Sequence, residues 1–291
     1  MKTISAFILL LFLPVTASIC QTKHLTKADE NRASAVIEKI IAGTGAVKIP
    51  QTVDVIKEGS PGTVVKGIAT TMFATMDVLK KAVEMKCNLI IVHEPLYYNH
   101  TDRTDQLSAD PVFLEKKKYI NDNNLVIWRF HDYIHSMKPD GIESGMAKKL
   151  GWEKYEVRGS LEKFLIPETT LKGLLDYLKG IFPKNAFYVV GDPSLKVSHI
   201  SFACGAPGSM AHINFLEKED TDVLLAGEAQ QWETYEYMRD AVSQGRKKAA
   251  IFLGHIASEE AGMEWCAGWL KSFITDIPVI YIESGPSYWS Y

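Results

Sequence analysis

Leu89-Ile90-Ile91-Val92 is an unbroken run of large apolar residues that stops at His93-Glu94-Pro95. Four such residues between polar neighbours predict a strand buried on both faces, as in a parallel sheet covered by helices. Pro95 has no N–H to give to a ladder and ends the strand. Ligands of open α/β sheets gather at the carboxyl ends of strands, so His93 and Glu94 stand where chemistry is usually done. The design recurs twice. Residues 125–130 are an apolar run ending in His131, with His135 four positions on, and residues 249–253 lead to His255, with Glu259 four positions beyond. On a helix that spacing puts His255 and Glu259 on one face.

Strand and helix patterns alternate along the chain. Helical spacing is seen over 28–42, 74–85, 111–121, 142–150, 170–181, 232–243 and 260–273, and strand patterns over 52–56, 64–70, 88–92, 125–130, 164–166, 187–190, 199–204, 222–226, 249–253 and 279–282. This predicts an α/β fold with largely parallel sheets. It divides into an N-terminal α/β lobe over 21–150, a connecting or inserted segment over 151–196 and a C-terminal α/β lobe over 197–291, the two lobes' sites facing one another.

The chain has 291 residues, 46% of them hydrophobic, enough for one large or two ordinary domains. Its net charge of −3, with basic residues scattered, argues against nucleic acid or an anionic membrane as partner. Lys2, an apolar stretch over 7–15 and the small-residue end Ala17-Ser18-Ile19-Cys20 predict a signal peptide over 1–20. The expected mature chain is exported, periplasmic or extracellular, and free of the membrane after cleavage. Cys87, Cys204 and Cys266 then remain, an odd number without a C-x-x-C pair, and are read as buried thiols.

The candidate metal ligands are His93, Glu94, His131, His135, His255 and Glu259. Mixed imidazole and carboxylate donors suit zinc, iron, manganese, nickel or cobalt and disfavour calcium or magnesium. Six donors suffice for two ions, which together activate a water and polarise a substrate oxygen. His100, His199 and His212 are read as structural. Glu228 and Trp232 either line the pocket or serve as a cap and a core aromatic. Gly205-Ala206-Pro207-Gly208 is a loop that lets backbone approach a ligand. Without a P-loop lysine or a G-x-S-x-G elbow, phosphate cradling and a serine nucleophile lack support.

In the same order along the chain, Leu89 to Leu96, His131-Asp132-Tyr133-Ile134-His135, Phe202-Ala203-Cys204-Gly205, Leu225-Ala226-Gly227-Glu228 and Gly254-His255-Ile256-Ala257-Ser258-Glu259 resemble the interacting-factor-three-like family. Its members are dinuclear metal-centre proteins that carry the label GTP cyclohydrolase I type 2 homolog. The resemblance implies two α/β lobes with a dinuclear site between them and a homo-hexamer. It also implies a metal-dependent hydrolase of a small molecule, with Glu94 or Glu228 as proton acceptor; the alternative is a metal-binding assembly without turnover. Glu94 stands where the family has a second His, and His135 where it has Asp. The two exchanges offset, leaving three imidazoles and two carboxylates in His93, Glu94, His135, His255 and Glu259. Trp232 stands where the family often has another His.

Overall fold

The structure, a computed structural model, describes residues 26–289; the expected signal peptide lies outside the described residues. Eleven strands are described: β1 Ile56–Glu58, β2 Ile68–Thr71, β3 Leu89–Val92, β4 Val126–Arg129, β5 Glu156–Val157, β6 Ser160–Thr170, β7 Tyr188–Val190, β8 Lys196–Ala203, β9 Val223–Ala226, β10 Ala249–Phe252 and β11 Val279–Tyr281. They form a five-stranded sheet in the order β1-β4-β3-β2-β11 and a six-stranded sheet in the order β5-β6-β8-β9-β10-β7. The helices are α1 Lys27–Glu30, α2 Ala33–Gly43, α3 Met76–Glu84, α4 Pro111–Asp122, α5 Asp132–His135, α6 Gly141–Lys149, α7 Leu171–Ile181, α8 Ser209–Leu216, α9 Glu236–Ser243 and α10 His255–Lys271.

β2, β3, β4, β9 and β10 are buried at every residue. Each Leu, Ile or Val so enclosed stabilises the fold by about 1.5–3 kcal/mol. β4, β3, β2 and β11 run parallel, as do β8, β9 and β10. The antiparallel pairings involve β1 in the first sheet and β5, β6 and β7 in the second. The second sheet is therefore mixed.

Side-chain caps fix the helix starts. Thr75 accepts from the Val78 N–H, Asp110 from Phe113, Asp140 from Ile142 and Glu143, and Thr170 from Gly173. Among the described residues no helix is long and apolar enough to cross a membrane.

The structure departs from the sequence pattern in several places. Residues 151–196, read above as a connecting or inserted segment, supply β5, β6 and β7 to the second sheet. β6 runs eleven residues where apolar content marks three, because its outward positions are polar. At the other end of the chain, β11 leaves the C-terminal half and pairs with β2 in the first sheet. The first strand lies at Ile56–Glu58 rather than 52–56, since Asp54 is occupied in capping a loop. The expected helix over 232–243 opens as a π-turn, Gln231–Tyr235, ahead of α9. α10 begins at His255, five residues before the apolar periodicity becomes visible. It packs on α6 and, in the first sheet, on β2 and β11, and its side chains enter two cores, Met263 and Cys266 the one and Ala257 and Ala261 the other.

Candidate metal centre

Five loops converge on one volume. His93 and Glu94 follow β3, His131 and α5 follow β4, Gly205 follows β8, and Glu228 follows β9; His255 opens α10 after β10. All are carboxyl ends of parallel strands, and the candidate ligands follow β3 and β4 of the first sheet and β10 of the second. Each imaginable ligand ring is held from behind. His93 Nδ1 lies 3.1 Å from the Phe130 carbonyl, His131 Nδ1 2.9 Å from Asp132, His135 Nδ1 2.8 Å from Asp140 and His255 Nδ1 3.0 Å from Glu228. A carbonyl or carboxylate on one ring nitrogen fixes the tautomer and leaves the other as a donor to a metal.

Ligand atoms of His93, His131 and His135 fall within 4.8 Å of one another, and so do those of His93, Glu94 and Glu259. The His93 and His131 rings stack at 4.8 Å, with His135 edge-on to both. His255 Nε2 sits 3.1 Å from Glu94 Oε1 and 3.1 Å from Glu259 Oε2. The starting helix turn at His255 makes the latter contact, through its i,i+4 spacing. With Nδ1 occupied, His93 has a single nitrogen to offer, and one nitrogen ligates one ion. That nitrogen is common to both groups, and His255 Nε2 closes on the carboxylates of the second.

Burial tests the fit to a cation. His93 Nε2 and Glu259 Oε2 are buried without a hydrogen-bond partner and face each other at 3.6 Å. Leaving a buried polar atom unpaired costs about 1–3 kcal/mol, so a fold that aims two of them at one point does so for a ligand. The local electrostatics agree. Burial, then the nearby His135 and His131 rings, drives the His93 pKa well below its usual value and keeps the ring a neutral donor. Burial opposes charge on His255, but Glu228, Glu259 and Glu94 around the ring overrule it and push its pKa up to about 12. Burial likewise opposes ionisation of Glu94, yet His255, His131 and Arg129 hold its carboxyl below the usual range. At His135 burial is outweighed by Asp140, which raises the imidazole. The surroundings of His255 and Glu94 thus demand a positive charge, and the residues present fit a divalent ion.

All six sequence-derived ligands and Glu228 are in this cluster. Glu228 is half-exposed and contacts the back of His255, so it orients the ring. Trp232 is 73% exposed and belongs neither to the core nor to the wall of the centre. His199 is exposed beside Asp222, and His212 is buried against Thr234; both lie outside the cluster. His100 stands at its edge, with its ring centroid 6.0 Å from that of His131.

Sequence reasoning missed the supporting residues. Arg129 is fully buried, donates to the His93 carbonyl at 3.1 Å and to Glu94 Oε2 at 3.3 Å, and also bonds the His100 carbonyl. A charge inside an apolar run was its only signal. Asp54 takes the N–H groups of His131, Asp132 and Tyr133 and fixes the turn that carries His131 and His135. Gly205, at φ +59°, lies so close that a Cβ would stand 2.2 Å from Glu259 Oε1. Cys204 is a free thiol, with burial and then Glu259 pushing its pKa well above the ordinary value.

A family model described as Duf34/NIF3 (NGG1p interacting factor 3) matches residues 53–286. A Clostridium acetobutylicum protein named GTP cyclohydrolase 1 type 2 homolog is 27% identical over 206 residues, 67% of this chain and 72% of its own. A Chlamydia trachomatis protein of the same name is 20% identical over 223 residues, 74% and 83% of the two chains. Among solved structures, a Bacillus cereus protein related to NIF3 superposes with a TM-score of 0.67 at 14% identity, covering 88% of this chain and 97% of that one. That likeness establishes the fold, and the span of the family match establishes more: this chain belongs to the DUF34/NIF3 family.

Proposed function

We propose that the chain binds two divalent transition-metal ions, of the zinc, iron, manganese, nickel or cobalt class, and is a metal-dependent hydrolase of a small molecule. The observation that carries this reading is the set of four imidazoles, each anchored at Nδ1 with its remaining nitrogen directed at a volume shared with Glu94 and Glu259. His93, His131 and His135 would hold one ion, and His255, Glu94 and Glu259 the other. When bound, such ions supply Lewis acidity toward a substrate oxygen and an acidified water.

The chain's own residues supply the rest. His255, then His131 and Arg129, keep Glu94 ionised, and Glu94 lines a cavity of about 580 Å³ together with His255, which places it to accept a proton from the attacking water. Glu228 holds the His255 ring by Nδ1. A second cavity of about 700 Å³ also reaches His255 and Glu228. Access from two sides supports turnover, because a storage or structural centre has no need of open approach. A cyclohydrolase-type substrate, the homo-hexamer and export are parts of the same proposal; the first draws on the relatives' names and the others on the family resemblance and the leader-like N-terminus.

Elemental analysis of protein purified without chelator or affinity metal tests the reading. The expected result is about two equivalents of transition metal, with loss in His255→Ala. Absence of transition metal, also after dialysis against zinc or manganese, refutes it.

A further inference from the structure

The cavity of about 580 Å³ that meets the centre at Glu94 and His255 has a cation on its wall. Lys116, from α4, is 6% exposed, and its Nζ donates to the Leu96 carbonyl at 2.8 Å. An ammonium has three N–H donors; the carboxylate that acts on this one, Asp102, is engaged by Lys57 at 3.0 Å and faces Arg129 at 3.9 Å. The ammonium's other neighbours are the faces of Tyr97 and Tyr98, with centroids 5.9 and 5.4 Å away. A buried lysine without a counter-ion in contact is expensive, and burial lowers its pKa to about 8 against the opposing pull of Asp102.

Two further features face the same space. Thr75 and Met76, the cap and first residue of the nine-residue helix α3, line it. The partial positive charge and free N–H groups of a helix start favour anions. Tyr98, also on the wall, is held at φ +58°, a left-handed conformation that costs a non-glycine residue about 1–2 kcal/mol. The loop accepts that strain in placing the ring over Lys116.

We infer that this cavity is a subsite for an anionic group, a phosphate or carboxylate carried by the substrate, received by Lys116 and the start of α3. The remainder of the molecule then extends toward Glu94 and His255, where its susceptible bond meets the centre. An anion there gives Lys116 a counter-ion in direct contact and accepts the ammonium protons that Leu96 leaves free. The role of the far end rests on the function proposed above; the anion subsite stands on Lys116 and α3 alone.

Inorganic phosphate is the probe. It is titrated by calorimetry and by thermal shift into the full chain as purified and after chelator treatment, for the wild type, Lys116→Met, Lys116→Arg and His255→Ala. The expected result is millimolar-range binding that survives chelation and His255→Ala, weakens about tenfold or more in Lys116→Met, and is retained in Lys116→Arg. Arg keeps the charge, so it also serves if the Met variant does not fold. Phosphate binding equal in Lys116→Met and wild type overturns the inference. So does no binding to the wild type, or binding abolished by chelator, which assigns the anion to the metal ions. If the chain holds no metal but phosphate still depends on Lys116, the subsite stands and the hydrolase reading falls.

Discussion

Substituting Gly205 by alanine separates the metal centre from the fold around it. The new Cβ would lie 2.2 Å from Glu259 Oε1, 2.9 Å from its carboxyl carbon and 3.2 Å from His255 Nε2. Since bonded-scale approaches below 3.0 Å do not occur, Glu259 must retreat by about 0.8 Å, the gap between 2.2 and 3.0 Å. Ligand distances tolerate only roughly 0.2 Å of departure, so the retreat removes Glu259 from any ion shared with His255. Loss of a supporting or ligating group costs about 10–100-fold in metal affinity. The backbone, at φ +59°, adds about 1–2 kcal/mol of destabilisation. Gly208→Ala is the control. It carries a comparable backbone strain at φ +94°, of about 1–3 kcal/mol, but meets nothing within 4 Å. Urea denaturation and zinc calorimetry on both variants check the reasoning. Both are expected to lose stability, and only Gly205→Ala to lose metal affinity. Equal affinities in the two variants would refute the placement of Glu259 at the metal.

The division of ligands predicts that His131→Ala lowers bound transition metal from about two equivalents to about one by elemental analysis, leaving the ion on His255, Glu94 and Glu259 in place; loss of both ions would show that the triads are not separable. Asp54→Asn puts an amide against three backbone N–H donors. It should cost about 1–3 kcal/mol in urea unfolding and about tenfold in zinc affinity as the His131 turn loosens; unchanged affinity would remove Asp54 from that role. Burial lowers Lys116 to about 8, against about 10.4 in an unfolded chain. Between those values the unfolded chain binds more protons, so stability rises with pH across this window. Lys116→Met should abolish that rise and be more stable at pH 7 by about 2 kcal/mol, the charge penalty less the lost bond to the Leu96 carbonyl. Denaturation midpoints from pH 7 to 10.5 test it, and an unchanged slope would refute it.

The apolar runs at β3, β4 and β10 were legible because a strand buried on both faces needs no polar partner and leaves an uninterrupted trace. The six metal-ligand candidates were legible for the same reason, standing where those traces stop. β6 was shortened to its apolar middle because half of its positions face water. The membership of β11 was hidden, since three apolar residues state that a strand exists and not which neighbour it pairs with. The supports of the centre were illegible on principle. Asp54 is seventy-seven residues from the His131 N–H that it accepts, and nothing local distinguishes an aspartate that caps a distant turn from one in water.

The paired exchanges at Glu94 and His135 show what an inventory of residue types leaves out. Counted by donor, the centre keeps three imidazoles and two carboxylates among the five residues compared. Placed in space, the two residues fall in different groups. His135 joins His93 and His131, so one triad carries imidazoles alone. Glu94 joins Glu259 and His255, so the other gathers two carboxylates. Arg129, buried within β4, then has a reason: its guanidinium reaches Glu94 Oε2 and balances part of the added charge. Imidazole-rich and carboxylate-rich triads rank first-row metals differently, the former suiting zinc, copper or nickel and the latter leaning toward manganese. On the function proposed above, the same inventory, once placed, gives a polarised centre whose two halves would differ in the ions they favour.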